Sequence, residues 1–200
     1  MPDMTEQLLH SLMPSEKRYL EKIRTKQARW IPQSKRQWQA FLSRADELFF
    51  GGGGGGGKSD LILGIAGEAH RNSIIFRRVF PNLRALIERS RQIYNNENNP
   101  HSKDSFNESL HVWRLDEGKM LEFGSMQYEK DKANFQGRPH DFIGFDEAPE
   151  FTESQIVFVT AWNRSVDPDQ RVRTILTGNP PSPKKWDAKW IMKRYDPPGS

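Results

Sequence analysis

The sequence predicts an α/β fold of three layers, with helices on both faces of a mostly parallel central sheet. Two stretches support this prediction. In one, an apolar strand at 46–50 runs directly into seven glycines, which are followed by a lysine, a serine and an apolar helix. In the other, an apolar strand at 142–145 ends in Asp146 and Glu147. Strands that alternate with helices along a chain are typical of parallel sheets.

The composition fits one globular domain of ordinary size. The 200 residues are 35% hydrophobic and 28% charged, which is enough chain for a sizeable core. No apolar run approaches the length of a membrane span, and residues 1–20 lack the apolar centre of a secretory signal. Cysteine is absent, which excludes disulfides and thiolate metal sites and fits a reducing cytoplasm.

The net charge of +4 is unevenly distributed along the chain. Basic residues are concentrated at 17–36 and again at 184–194. Clusters of this kind either contact the phosphates of a nucleic acid or form solvated helix faces. The charge pattern alone leaves both interpretations open.

The chain before the glycine run is predicted to be mainly helical. Apolar residues recur at helical spacing over 1–29, with an interruption at Pro14, and this predicts a helical appendage packed on a main domain. A further helix within 30–44 carries Gln37. The Gln37 amide has donors and an acceptor that could pair with the N6 and N7 edge of adenine, although it could equally be an ordinary helix glutamine.

The glycine run matches the pattern G-x-x-x-x-G-K-[ST], the phosphate-binding loop of nucleoside triphosphatases. Glycines let backbone N–H groups turn inward around a polyphosphate. In this pattern Lys58 reaches the β- and γ-phosphates, Ser59 holds Mg²⁺, and the next helix directs its positive end at the phosphates. A flexible linker is the alternative, but linkers usually mix glycine with serine between polar flanks. The predicted nucleotide contacts are Gly52, Gly53, Gly54, Gly55, Gly56, Gly57, Lys58, Ser59 and Asp60.

The middle of the chain continues the alternation of strands and helices. The predicted elements are, in order, a strand at 73–80, a helix at 82–94, a polar loop at 95–105, a hairpin with strands in 109–115 and 119–126, and a short helix that ends near Gln136.

The acidic pair at the end of the strand at 142–145 is the second chemical signal. Neighbouring side chains on a strand diverge, which suits two different tasks. Asp146 would hold the Mg²⁺ shell and Glu147 would polarise an attacking water.

Thr177, Gly178 and Asn179 follow a predicted helix at 153–163 and a predicted buried strand at 172–176. Ligands bind at the carboxyl ends of the strands in a parallel sheet, so Thr177 and Asn179 could sense a γ-phosphate. A plain turn, set by Gly178 and the prolines that follow, is the alternative.

With these residues in place, the chain resembles the ATPase domain of the large terminase subunit of tailed bacteriophages, the motor that pumps DNA into procapsids. The resemblance extends from Trp30 to the last residue and rests on the stretches IPQSKRQWQAFL, ELFFGGGGGGGKS, IIFRRVFPNLRALI, NFQGRPHDFIGFDEAPEF and ILTGNPP. It implies a P-loop NTPase of the additional-strand, catalytic-glutamate type over residues 30–200, which hydrolyses ATP with Mg²⁺.

The resemblance also implies a role for each site residue. The implied roles are adenine contact for Gln37, phosphate and Mg²⁺ binding for Lys58 and Ser59, metal binding for Asp146, catalytic base for Glu147, and coupling of hydrolysis to movement for Thr177, Gly178 and Asn179. An arginine is expected to stabilise charge on the transferred phosphoryl group. Arg77 and Arg78 are both candidates for this arginine, and Arg164 is a weaker one.

The implied partners are double-stranded DNA, bound through its phosphate backbone, the small terminase subunit, the portal protein and further copies of the chain in a ring. The implied location is the cytoplasm of the bacterial host, without a membrane. Family members usually continue into an RNase H-like nuclease domain that these 200 residues lack. We therefore expect no nuclease activity from them and regard the chain as a fragment or a split gene product. A helicase-like ATPase and a non-hydrolysing nucleotide-binding scaffold are the alternative functions.

Overall fold

The computed structural model describes residues 6–95, 104–179 and 189–195. The strands are β1 (Glu47–Gly51), β2 (Asn72–Arg77), β3 (Ser105–Asn107), β4 (Val112–Arg114), β5 (Met120–Ser125), β6 (Phe142–Phe145) and β7 (Arg173–Gly178). The helices are α1 (Glu6–Ser11), α2 (Pro14–Arg24), α3 (Lys35–Leu42), α4 (Lys58–Ala69), α5 (Leu83–Tyr94), α6 (Glu153–Thr160) and α7 (Lys189–Tyr195).

The strands form one sheet in the order β1-β7-β6-β2-β5-β4-β3. The first five of these are parallel to one another, and β4 and β3 extend the sheet as an antiparallel edge. Strand β7 lies between β1, which precedes the glycine run, and β6, which precedes the acidic pair. This arrangement confirms the predicted mostly parallel sheet, with β7 as the additional strand between β1 and β6.

Helices cover both faces of the sheet. Successive residues of β2 show this, because Ile75 packs into one apolar cluster while Ile74 and Phe76 pack into another. Helices α2, α3, α4 and α5 contribute to the first cluster, and α6 and α7 contribute to the second. The predicted three-layer α/β architecture is therefore confirmed.

Several predicted boundaries differ from those in the structure. Strand β2 ends at Arg77 instead of residue 80, since Pro81, which has no N–H to donate to a ladder, lies in a 3₁₀ turn. Strand β7 continues to Gly178 because it pairs with β1 as far as Gly51, so Thr177 belongs to the strand and not to a turn after it. Helices α2 and α6 end earlier than predicted.

A short strand was not predicted in the polar stretch before the hairpin. Strand β3 pairs with β4, and the ring of Phe106 lies 5.1 Å from that of Trp113, which is buried. The hairpin of β4 and β5 that follows confirms its prediction.

Several residues of the basic cluster at 17–36 have partners within the fold. The internal partners are Glu117 for Lys22, Glu21 for Arg24, Asp104 for Arg29 and the Gly51 carbonyl for Arg36. Residues 184–188 of the second basic cluster lie outside the described residues, as do the two prolines after Asn179. Among the helices that the structure describes, none has both the length and the apolar character that a membrane crossing requires.

The segment between α2 and α3 is fixed on α4 by Trp30. The Trp30 ring is buried and lies directly over Gly64, where an added Cβ would come 2.0 Å from its Cδ2 atom. The phenol of Tyr19 on α2 donates a hydrogen bond to the Trp30 carbonyl at 2.7 Å. Gly64 therefore sets how closely the entry to α3 approaches the helix after the glycine run.

We expect Gly64→Ala to lower the free energy of unfolding by about 1–3 kcal/mol, because the new methyl group overpacks the Trp30 contact. Urea unfolding measures the change. Gly54→Ala is the matched control, since a Cβ there meets nothing within 4 Å. Equal loss of stability in the two variants would contradict the packing described here.

Candidate active site

The glycine run forms the turn from β1 into α4. Gly57, the residue before α4, has φ of 66°, a left-handed conformation that favours glycine. A Cβ at this position would also lie 2.5 Å from the Nε2 atom of Gln37. Backbone conformation and packing therefore both require glycine at the end of the loop.

Two side chains in the first turn of α3 contact the two ends of the glycine loop. The Gln37 side-chain amide donates to the Gly57 carbonyl at 2.9 Å and accepts from the Gln33 backbone N–H at 2.6 Å. The Arg36 guanidinium donates to the Gly51 carbonyl at 3.0 Å. The predicted adenine contact thus holds the loop itself, and it retains one N–H and one lone pair for a ligand.

Lys58 places its ammonium group inside the loop. It donates to the carbonyls of Gly52 at 2.9 Å and Gly53 at 2.8 Å, and to the Oδ1 atom of Asn179 at 3.1 Å. An ammonium group has three donors, so all of them are in use. The loop is therefore tied through Lys58 to the residue that follows β7.

A cavity of about 450 Å³ opens beside the loop. Its polar lining includes Gln33, Arg36, Gln37 and Asp60. The Asp60 carboxylate, predicted as a nucleotide contact, forms two hydrogen bonds of 2.7 Å with the guanidinium of Arg89. Asp60 therefore lines the cavity while paired to α5.

Asp146 is the meeting point of four elements. Its carboxylate is 1% exposed and accepts hydrogen bonds from the Ser59 hydroxyl at 3.1 Å, the Thr177 hydroxyl at 2.7 Å and the Arg77 Nε atom at 2.8 Å. Its donors come from α4, β7 and β2. The acidic pair therefore lies at the carboxyl ends of the parallel strands, where the glycine loop also lies.

The residues around Asp146 fit a bound Mg²⁺ ion. Mg²⁺ prefers oxygen ligands and is usually held by one or two carboxylates together with waters and substrate phosphates. Asp146 and Ser59 supply a carboxylate and a hydroxyl within 3.1 Å of each other, next to the lysine of the loop. The structure thus brings together the two residues, Ser59 and Asp146, that the sequence predicts as Mg²⁺ ligands.

Glu147 has an unusual backbone conformation. Its φ of 55° and ψ of 50° lie in the left-handed region, which is uncommon and costly for a residue other than glycine. Its side chain is half-buried and has no hydrogen bond or ion pair to any residue in the described part of the chain. The strained turn thus presents a carboxylate that is available to a ligand.

The end of β7 touches each of the other parts of the site. Thr177 contacts Asp146, Asn179 contacts Lys58, and Gly178 lies against Pro149 in the turn after Glu147. A Cβ at Gly178 would come 2.4 Å from the Pro149 Cδ atom. The sequence predicted Thr177, Gly178 and Asn179 as site residues, but nothing in it indicated the Pro149 contact.

The structure separates the three candidate arginines. Arg77 pairs with Asp146, whereas the Arg78 guanidinium donates to the side-chain oxygen of buried Gln155 on α6. The backbone N–H of Arg164 donates to the carbonyl of His140. His140 precedes β6, so Arg164 lies at the amino end of this strand, away from the acidic pair. Only Arg77 of the three contacts another predicted site residue. Arg36 belongs to the site as well, and the sequence showed it only as part of a basic cluster.

Fold and site together define the class: a P-loop NTPase fold with an additional strand. No family model and no curated relative matches the sequence. Solved structures with this fold include large terminases of three phages. The D6E large terminase in complex with ATP-gamma-S is 18% identical with a TM-score of 0.59, over 82% of this chain and 42% of that chain. The HK97 large terminase is 13% identical with a TM-score of 0.59, over 83% and 38%.

The third is the large terminase ATPase domain of Thermus phage P74-26, which is 15% identical with a TM-score of 0.52, over 86% of this chain and 71% of that chain. The particular fold of this chain is thus the one seen in the ATPase domain of phage large terminases. The chain spans less than half the length of the D6E and HK97 proteins that it matches.

We expect Arg77→Ala to lower the free energy of unfolding by about 2–3 kcal/mol, because it leaves the buried Asp146 charge without its cation. The same substitution should cost at least about 1 kcal/mol less in an Asp146→Asn background, where no charge needs compensation. Urea unfolding of the four proteins gives both values. Equal costs in the two backgrounds would show that the pair contributes nothing.

Proposed function

We propose that this chain is a Mg²⁺-dependent ATPase that drives double-stranded DNA into viral procapsids, as the motor part of a terminase large subunit. The observation that carries the proposal is the contact of Asp146 with Ser59, Thr177 and Arg77 beside a glycine loop filled by Lys58. The large terminase fold supports the same function, and the D6E protein with that fold was solved with ATP-gamma-S.

The loop would bind the polyphosphate of ATP. Lys58 would exchange one or more of its three bonds for phosphate oxygens, which also frees Asn179. Gln37 and Arg36 lie on the side of the loop where the cavity opens and would contact the nucleoside. Ser59 and Asp146 would hold Mg²⁺, which when bound neutralises charge on the phosphate oxygens.

Glu147 would be the catalytic base. Its carboxylate has no partner among the residues that the structure describes, so it can accept a proton from the water that attacks the γ-phosphorus. Arg77 would stabilise charge on the transferred phosphoryl group, since its present partner, Asp146, belongs to the metal site. Arg78 is the weaker choice because Gln155 holds it.

The end of β7 would couple hydrolysis to movement. Thr177 contacts Asp146, Asn179 contacts Lys58, and Gly178 packs against the turn that carries Glu147. A movement of Asp146, of Lys58 or of the turn that carries Glu147 would therefore be transmitted to the end of β7.

The remaining parts of the proposal follow the terminase resemblance. Residues 30–200 would be the ATPase domain, with 1–29 as a helical appendage. The domain would bind double-stranded DNA through phosphates, without sequence preference, and would act in a ring with the portal protein and the small terminase subunit in the host cytoplasm. Weakening of binding with added salt is the expected signature of such contacts.

We expect Glu147→Gln to bind ATP but to lower turnover by about 10²–10⁴-fold, because an amide cannot accept the proton. Phosphate release with Mg²⁺, with and without DNA, measures turnover, and fluorescence of a labelled nucleotide measures binding. Lys58→Ala is the reference variant that loses nucleotide binding.

Retained turnover in Glu147→Gln would refute the role of the glutamate. Nucleotide binding by the wild-type chain without any phosphate release would favour the non-hydrolysing scaffold, and DNA unwinding would favour a helicase-like ATPase.

We expect Arg77→Ala to lower the turnover number by about 10³-fold, as arginines that stabilise phosphoryl transfer do. Arg78→Ala is the matched control, since the same side chain is removed one residue away, and its effect should stay below about tenfold. Circular dichroism checks that both variants are folded at the assay temperature. A larger effect at Arg78 would reverse the assignment.

A further inference from the structure

We propose that Arg173 is a positioning residue for nucleotide binding, which acts by fixing helix α3 against the glycine loop. This inference rests on the proposed function, because it assigns a role to a residue behind the same site. Arg173 lies at the start of β7, at the far end of the strand from Thr177.

The glycine loop depends on α3 for its shape. Side chains added at Gly53 or Gly54 would meet nothing within 4 Å, so the middle of the loop has no packing of its own. Arg36 holds the carbonyl of Gly51 and Gln37 holds the carbonyl of Gly57. A shift of α3 therefore moves both ends of the loop.

Arg173 holds the other end of α3. Its guanidinium is 1% exposed and donates to the carbonyls of Ala40 and Phe41, both at 3.0 Å. These carbonyls lie in the last turn of α3, where the helix has unsatisfied acceptors and a partial negative charge. A planar guanidinium can bond two adjacent carbonyls at once, which a lysine ammonium on a flexible stem does less well.

Neighbouring residues extend this attachment to the loop's own strand. The Arg171 guanidinium donates to the carbonyl of Ala45 at 3.0 Å, in the connection from α3 to β1. Glu16 of α2 is buried nearby, 2.7 Å from Arg44 and 3.8 Å from Arg171. Burial, and to a lesser extent Arg171, lowers the pKa of Arg173 to about 9, which leaves it charged at neutral pH.

The contacts form one path from strand to loop. Arg173 fixes the last turn of α3, the first turn of α3 carries Arg36 and Gln37, and these two fix the loop. A loss at Arg173 should therefore weaken nucleotide binding and leave the chemical step much less affected, because the residues proposed for that step follow β6 or end β2 and do not lie on α3.

The test is a double-mutant cycle on nucleotide affinity. Arg173→Met should raise the Kd of a fluorescent ATP analogue about tenfold, while the turnover number at saturation falls less than threefold. In an Arg36→Ala/Gln37→Ala background the same substitution should change the Kd by less than about twofold, since both attachments through which it acts are already lost. Arg173→Lys should fall between wild type and Arg173→Met, and it serves as the test variant if Arg173→Met does not fold.

Arg29→Met is the matched control. Arg29 is also buried, but its partners are the carboxylates of Asp104, Asp116 and Glu68 and not the carbonyls of α3. It should lower the unfolding midpoint without changing the Kd measured below that midpoint. A tenfold rise in Kd for Arg173→Met in both backgrounds, or a wild-type Kd for Arg173→Met, would overturn this inference alone. A wild-type chain that binds no nucleotide would overturn the proposed function with it.

Discussion

The buried carboxylate of Asp146 is the constraint on which the site depends. A charge at 1% exposure is unfavourable unless donors compensate it. Here the donors are Arg77, Ser59 and Thr177, and each belongs to a different element. The ends of β2, α4 and β7 are therefore drawn to one point by a single anion. A divalent cation bound at that point would compete with Arg77 for the carboxylate, so its binding would favour release of the arginine.

The glycine loop differs from Asp146, because its residues have no side chains that could define its shape. Its carbonyl groups are held instead by long polar side chains from outside, namely those of Arg36, Gln37 and Lys58. Close packing therefore occurs at the end of the loop and in the helix that follows, and not in the middle of the loop. Gly57 meets Gln37 of α3, and Gly64 meets Trp30 in the segment before α3, so both contacts set how closely these parts approach α4 and its start.

Local spacing in the sequence predicted the parts of the site that lie on two motifs. The positions of Lys58 and Ser59 could be predicted because strand, loop and helix follow one another within a few residues, and the position of Asp146 because it directly follows an apolar strand. The choice between Arg77 and Arg78 could not be made, because neighbours on a strand point to opposite faces and only the true end of β2 decides which reaches the edge. The contact of Gly178 with Pro149 also had no local signal, since it depends on how two strands lie side by side.

The emptiness around the middle of the loop has a practical side. The chain contains no cysteine, and the space beside Gly54 is open. A Gly54→Cys substitution would create a unique thiol at the rim of the loop, where a small environment-sensitive dye could be attached without touching the supporting side chains. Such a reporter would turn the arrival and departure of a phosphate group into an optical signal in real time.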